Sequence, residues 1–272
     1  MIRRQIGNTD MLFFLESILY LIRFFFGAAI FSFLGVVIDR LPRGESVVQG
    51  RSHCTNCGRE LTAGELIPCV SYLCLGGRCK GCGAKIPFRS LWTEFAGGAA
   101  FVGCGLLYGC GSLGILSLRG AVVFAYLGIL LVVALIDRDT QMIYDRFHFM
   151  ILILAVGNLM LFPQHGILDR LIGAVIISVP MLALALVIPG AFGGGDIKLM
   201  AVCGLFLGTA PVVCAAFLGI VTGGLYAAVK LASGKLGKKD QFAFGPFLAV
   251  GLAVAALWGD RIATWYLRFI II

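Results

Sequence analysis

The sequence predicts an all-α polytopic membrane protein of about eight transmembrane helices, with a small four-cysteine, zinc-ribbon-like insert facing the cytoplasm. Three observations predict this fold class. The 272 residues are 60% hydrophobic and 13% charged, whereas soluble domains carry about 25% charged residues. Apolar runs of about 20 residues, long enough to span a bilayer, recur along most of the chain. The only long polar stretch contains two Cys-x-x-Cys pairs.

The apolar runs define eight predicted spans. They lie at approximately 11–38, 92–110, 113–136, 147–163, 169–189, 197–210, 211–231 and 243–259. A polar segment separates the first span from the others. The sequence therefore predicts a first transmembrane span at 1–38, a metal-binding insert at 39–91 and a transmembrane domain at 92–272.

The basic residues predict the orientation of the spans. Lysine and arginine favour cytoplasmic loops, and most of them share one side if the N-terminus lies outside. The residues left outside are then Arg3, Arg4, Arg119, Arg170, Arg261 and Arg268. This orientation places the 39–91 insert in the cytoplasm. The net charge of +8 thus reflects topology, and because no continuous basic stripe exists, we expect lipid and not nucleic acid as a partner.

The sixth span, 197–210, is unusually short. Its length of about 21 Å is less than the roughly 30 Å of a bilayer core. The residues before it are Gly193, Gly194, Gly195 and Asp196. We therefore expect the three glycines to form a non-helical loop at membrane depth. Such a loop is tolerated only where it lines a cavity in the protein.

The insert contains the spacing of a zinc ribbon. Cys54 and Cys57 form one Cys-x-x-Cys pair, and Cys79 and Cys82 form a second pair after 21 intervening residues. Four thiolates at this spacing favour a structural zinc ion, because they leave no open coordination position for catalysis. Disulfides and free thiols are the alternatives, but disulfides need an oxidising compartment, and the predicted orientation places the insert in the reducing cytoplasm.

Two carboxylates lie at the predicted cytoplasmic ends of separate spans. Asp137 directly follows an apolar run, and Asp196 precedes the short sixth span. Because carboxylates near hydrocarbon are costly unless they are used, we expect these two to converge on one cavity. Two carboxyl groups that share one proton can activate water and polarise a peptide carbonyl, which is the chemistry of aspartic proteases. Asp139 and Asp145 are instead predicted to be solvated loop charges.

The motifs resemble those of a known family. The G-x-G-D motif followed by Ile-Lys-Leu, at 193–199, resembles the signature of type IV prepilin peptidases, which are G-x-G-D membrane aspartic proteases. The stretch LIDRDTQMIYD is similar to the family's first aspartate motif, with Asp137 at the catalytic position. The insert resembles the bacterial family's four-cysteine zinc domain.

This resemblance implies a function. It implies that Asp137 and Asp196 cleave prepilin or pseudopilin precursors at the cytoplasmic face of the bacterial inner membrane, after a glycine that precedes a hydrophobic helix. Gly193, Gly194 and Gly195 would give the substrate backbone room. Precursors for pili, type II secretion or DNA uptake all fit. For many members the resemblance also implies N-methylation of the new N-terminus with S-adenosylmethionine, for which the residues themselves offer no Rossmann-type motif.

Three positions depart from the family's pattern. Phe31 and Gly35 replace a glycine and an asparagine, and Tyr144 replaces the proline before Asp145. Two other functions compete with the peptidase. An ion-coupled transporter would use Asp137 and Asp196 as ion ligands, but it predicts a symmetry between repeats that the sequence does not show. A non-catalytic pilus-assembly scaffold would not need a costly carboxylate pair.

Overall fold

The protein is helical almost throughout in a computed structural model that describes residues 2–110, 116–161, 166–188, 190–234 and 242–271. Within these ranges the β structure is limited to isolated bridges, which confirms the all-α prediction. The α-helices are α1 (Ile2–Arg40), α2 (Val70–Cys74), α3 (Phe88–Tyr108), α4 (Leu118–Thr140), α5 (Asp145–Leu161), α6 (Ile167–Ile176), α7 (Ser178–Val187), α8 (Gly194–Leu207), α9 (Thr209–Ala232) and α10 (Gly245–Ile271).

Six helical segments of the described chain are long and apolar enough to cross a membrane. They are Phe14–Arg43, Phe88–Tyr108, Leu118–Thr140, Ile167–Val187, Thr209–Ala232 and Gly245–Phe269. The other two predicted spans, 147–163 and 197–210, correspond to α5 and α8, which have only 17 and 14 residues. Large apolar side chains such as Leu186 and Phe217 are 76% and 66% exposed, as expected for helices that contact lipid. The prediction of a membrane protein with several spans is confirmed, and the predicted number of eight transmembrane helices is approximate.

The chain divides into two units, Met1–Phe124 and Ala125–Ile272. In the first unit α1 and α3 pack closely, because a Cβ added at Gly27 would lie only 2.4 Å from the carbonyl oxygen of Gly97. Glycine pairs of this kind let membrane helices approach each other. The predicted boundaries of the insert, after residue 38 and after residue 91, stay a prediction.

In the second unit the C-terminal half of α4 forms the core. Tyr126, Leu130, Val133 and Ile136 are at most 1% exposed. Tyr126 stacks on Phe206 of α8, with ring centroids 4.2 Å apart. Because the buried face of α4 continues to its C-terminal end, it carries Asp137 into the interior of this unit.

Arg170 binds the C-terminal end of α8. The prediction treated Arg170 as a loop residue, but the structure buries it to 1% exposure. Its Nη1 donates to the carbonyl oxygens of Leu205 and Phe206 at 3.1 and 2.6 Å, and Asn158 Nδ2 also donates to Phe206 at 2.8 Å. The last carbonyls of a helix have no partner within the helix. Side chains of α5 and α6 therefore satisfy the C-terminal end of α8 where it is buried.

Candidate active site and metal centre

The four predicted metal ligands lie together in the insert. The Sγ atoms of Cys54, Cys57, Cys79 and Cys82 lie within 4.8 Å of one another, and those of Cys54 and Cys82 are 3.8 Å apart. Sulfur atoms bound at about 2.3 Å to a tetrahedral zinc ion are about 3.8 Å apart. The donor set and its spacing therefore fit a metal ion with four thiolate ligands.

The two Cys-x-x-Cys pairs fold into the same turn. In the first, the N–H of Cys54 donates to the carbonyl of Arg59 and the N–H of Gly58 donates to the carbonyl of Cys54, both at 2.9 Å. The second pair repeats both hydrogen bonds at the equivalent positions. Gly58 and Gly83 have φ angles of 70° and 71°, which glycine adopts without strain. The backbone of each pair thus directs two sulfur atoms to the same point.

Backbone donors tune the thiols of this cluster. The N–H groups of Cys82 and Gly81 lower the pKa of Cys79 to about 6. The pKa of Cys57 is raised to about 11: the N–H of Arg59 lowers it, but partial desolvation and the other three cysteines outweigh that bond. Four thiols this close cannot all lose their protons unless a cation balances the charge, so binding of a metal releases protons.

Arg59 and Glu65 brace the cluster. The guanidinium donates to both carboxylate oxygens of Glu65, at 3.2 and 2.5 Å, and interacts with the sulfur of Cys79. The same carboxylate accepts the N–H of Thr62 at 2.9 Å and caps a short 3₁₀ turn. Arg59 is the main cause that lowers the pKa of Glu65 to about 2. This positive charge beside the thiolates favours their deprotonated, metal-binding form.

Asp137 is held by a backbone amide from the other end of its unit. The residue lies in the last turn of α4 and is 6% exposed. Its Oδ2 accepts the N–H of Gly245, the first residue of α10, at 3.0 Å. A Cβ added at Gly245 would lie 2.6 Å from that oxygen, so a residue without a side chain is needed for this approach. The sequence does not reveal Gly245, because Gly245-Pro246 reads only as a helix start.

Asp196 lies in the first turn of α8 and is 8% exposed. A Cβ added at Gly193 would be 3.1 Å from its Oδ2. Among the described residues none hydrogen-bonds the buried Oδ1 of Asp196. Buried polar atoms without a partner are rare in proteins, and a reactive group is one accepted reason for them.

The structure brings the two predicted carboxylates into one site. The charge of Asp137 acts directly on Asp196, although the two residues come from separate helices, α4 and α8. Two carboxyl groups in a desolvated site cannot both ionise cheaply, so one of them is expected to keep its proton. Such a pair can take a proton from water and give one to a carbonyl oxygen.

The prediction that three glycines before Asp196 form a non-helical loop is wrong for Gly194 and Gly195. Gly193 is extended, with φ −70° and ψ 143°, but Gly194 and Gly195 belong to the first turn of α8. Because the free N–H groups of a helix start stabilise a nearby carboxylate, the helix begins before Asp196 rather than after it. Open space remains beside Gly194, where an added Cβ would meet no atom within 4 Å.

His148, to which the sequence assigns no role, contacts the same turn. It is 6% exposed, and its Nε2 lies 3.1 Å from the carbonyl oxygen of Gly195. Its Nδ1 lies 3.3 Å from Oδ1 of Asp145, which also accepts a hydrogen bond from Lys198 Nζ at 2.8 Å. Asp145, predicted to be a solvated charge, is therefore exposed but paired.

A phenylalanine precedes each of the two glycines that contact the aspartates. Phe192 comes before Gly193, and Phe244 comes before Gly245. Their ring centroids are 6.0 Å apart, and both rings are half-buried. The pair Asp137 and Asp196, called the dyad below, therefore has an apolar surface beside it.

Two of the departures from the family's pattern have packing roles. Phe31 is 2% exposed, and its ring lies 5.3 Å from that of Phe124. The ring of Tyr144 lies 5.4 Å from the guanidinium of Arg146. Both side chains therefore make contacts of their own that a smaller residue or a proline would lack.

Two family profiles match the sequence. The profile of the Bacterial Peptidase A24 N-terminal domain matches residues 25–108, which include the four cysteines. The profile of the Type IV leader peptidase family matches residues 124–228, which include both aspartates.

Relatives named prepilin leader peptidase/N-methyltransferase match nearly the whole chain. The one from Bacillus subtilis (strain 168) is 34% identical over 247 residues, covering 91% of this chain and 97% of its own. Those from Pseudomonas aeruginosa and Stutzerimonas stutzeri are 30% and 32% identical, each covering 89% of this chain and 91% and 92% of their own. No solved structure matches the chain.

Proposed function

This chain belongs to the type IV leader peptidase family and is a peptidase, and from that premise we propose that it is a membrane aspartic endopeptidase that removes the leader from prepilin or pseudopilin precursors. The observation that carries the proposal is the pair of buried carboxyl groups, Asp137 and Asp196, which interact in one site. The names of the relatives support the substrate class.

The geometry supports a water-mediated hydrolysis. Water attacks the carbonyl carbon of the scissile peptide while the ionised member of the pair takes its proton and the protonated member gives one to the carbonyl oxygen. The C–N bond then breaks as the leaving nitrogen takes a proton from one aspartate and a hydroxyl group of the tetrahedral intermediate returns a proton to the other, which restores the starting pair. The N–H of Gly245 occupies Oδ2 of Asp137, which leaves Oδ1 to contact the water.

We place the cut at the cytoplasmic face of the bacterial inner membrane, after a glycine that precedes an apolar segment. The distribution of basic residues supports this side. The open space at Gly194 and the half-buried rings of Phe192 and Phe244 support a substrate with little side chain before the cut and an apolar residue after it.

The four cysteines would hold a structural zinc ion. Cys54, Cys57, Cys79 and Cys82 fit its donor set, and four thiolates leave no position open for a substrate. When bound, the ion supplies folding energy to the insert and no chemistry to the peptidase reaction.

N-methylation of the new N-terminus is supported by the relatives' names alone. S-adenosylmethionine would be the methyl donor. The described ranges contain no sheet and no Gly-rich turn from strand to helix, so the residues present do not fit a Rossmann-type site for this group. We assign it no ligands and derive no step through it.

The proposal is tested by incubating the purified protein in detergent with a precursor and reading the product masses. Wild type should cut after the leader glycine, and Asp137→Asn and Asp196→Asn should each lower the rate by about 10³-fold or more, because either change removes the shared proton site. Asp139→Asn, an exposed carboxylate two residues from Asp137, is the matched control and should cut normally.

Two outcomes would overturn the proposal. Wild-type rates in both asparagine variants would show that Asp137 and Asp196 do not catalyse the cleavage. A folded wild-type protein that cuts no precursor would favour the transporter or the scaffold.

A further inference from the structure

We propose that His148 is a positioning residue of the peptidase, which holds the first turn of α8, and with it Asp196, in place relative to Asp137. The inference rests on the proposed function, because it takes the two aspartates as the catalytic pair.

A short stretch of chain connects the two aspartates physically. Directly after α4, Gln141 adopts a φ of 55° and its N–H donates to the carbonyl of Asp137 at 2.7 Å. Ile143 then packs against Gly195, since a Cβ added there would lie 2.9 Å from the Cβ of Ile143. His148 donates to the carbonyl of the same glycine. The segment 141–148 is therefore anchored on Asp137 at one end and on the residue before Asp196 at the other.

His148 is the shielded contact of this segment. The ion pair between Asp145 and Lys198 joins side chains that are 62% and 60% exposed, and exposed pairs hold geometry weakly. The side chain of His148 is 7% exposed, so its hydrogen bond to Gly195 forms where water does not compete. A buried imidazole is costly unless its nitrogens are paired, which here requires the turn of α8.

The partners of His148 define which ring nitrogen must donate to α8. Nε2 faces a carbonyl oxygen, and Nδ1 faces a carboxylate oxygen. Both partners accept hydrogen bonds, so only the imidazolium satisfies both, whereas a neutral ring donates to one. The charged groups that act on the ring are Asp145 on its own helix and Lys198 on α8. The contact with Gly195 needs a proton on Nε2 only, which both the imidazolium and the Nε2 tautomer of the neutral ring carry, so the hold on α8 does not depend on a charged ring.

The experiment measures kcat and KM for precursor cleavage at one fixed pH. His148→Ala should lower kcat on the order of 10- to 100-fold with KM unchanged, because a small displacement of a catalytic group has effects of this size. His148→Gln keeps an N–H donor for Gly195 and should therefore restore kcat to within a few-fold of wild type. Phe149→Ala, at a neighbouring side chain that is 65% exposed, is the matched control.

The inference is overturned by a wild-type kcat in His148→Ala, or by a folded His148→Gln variant whose kcat stays about 10-fold or more below that of wild type. The second readout holds even if His148→Ala does not fold. Inactive wild-type protein would instead overturn the proposed function and this inference with it. The activity of the wild-type protein therefore distinguishes failure of the proposed function from failure of the inference about His148.

Discussion

The four-cysteine cluster and the carboxylate pair reach their geometry in different ways. Within residues 52–86 of the insert, each backbone hydrogen bond joins two residues that are close in the sequence, and glycines with positive φ close both turns. The carboxylate pair depends instead on residues far apart, and Asp137 and Gly245 are separated by 108 positions. The first site is built by local backbone turns, and the second by helix packing.

The two sites also differ in what keeps them together. Cys57 and Cys82 are exposed, and a short polar segment has too little core to fold by itself. The insert should therefore depend on its metal. The dyad is enclosed by helices that meet through glycines, such as Gly173 and Gly204, where an added Cβ would lie 2.1 Å from a carbonyl oxygen. The helix packing around the two aspartates should therefore survive the loss of a carboxylate charge, but a change in side-chain size at these contacts should disturb it.

The largest expected effect is the loss of metal from the insert. Cys57→Ser removes one of four ligands and should weaken metal binding by about 10³-fold, roughly a quarter of the binding free energy of such sites. Zinc per chain, measured by atomic emission after dialysis, should fall from one equivalent to near zero.

Two control variants test whether metal binding by the insert and cleavage by the carboxylate pair are independent. Cys74→Ser changes another exposed cysteine of the insert and should retain the metal. Asp196→Asn should also retain it while losing cleavage. A Cys57→Ser protein without zinc whose insert resists proteolysis as well as wild type would contradict the idea that the metal supplies the insert's stability.

The next effect concerns shape at the dyad. Gly245→Ala places a methyl group 2.6 Å from Oδ2 of Asp137, so the carboxylate or the start of α10 must move. We expect kcat to fall by about 10²-fold with little change in KM. Gly224→Ala is the control, since an added Cβ there meets no atom within 4 Å. Equal rates in both variants would show that the Gly245 contact does not set the position of Asp137.

The sequence predicts what is local or compositional. The apolar runs indicate the helices, the Cys-x-x-Cys spacing indicates the cluster, and the costly carboxylates Asp137 and Asp196 stand out from their apolar surroundings. Each of these signals lies within a few neighbouring residues.

Long-range packing accounts for what the sequence leaves out. Gly245, His148 and Arg170 act on residues 108, 47 and 36 positions away, and nothing in their own neighbourhood indicates the partner. The helical start at Gly194 is a different case. The glycines argue against a helix by propensity, but the carboxylate of Asp196 and the contact of Gly195 with Ile143 favour one.

The smallest expected effect compares two ion pairs of the insert. Glu65 lies beside Arg59 with its side chain 8% exposed, whereas Glu60 pairs with Arg51 with its side chain 59% exposed. Glu65→Gln should weaken metal binding by about 10-fold, since outer residues that orient metal ligands contribute effects of this size. Glu60→Gln should have no measurable effect, because water and salt screen an exposed pair. Competition with a chromophoric chelator at neutral pH measures both affinities. Equal affinities in the two variants would mean that the Arg59–Glu65 pair does not brace the cluster, and that the two backbone turns alone position the sulfur atoms.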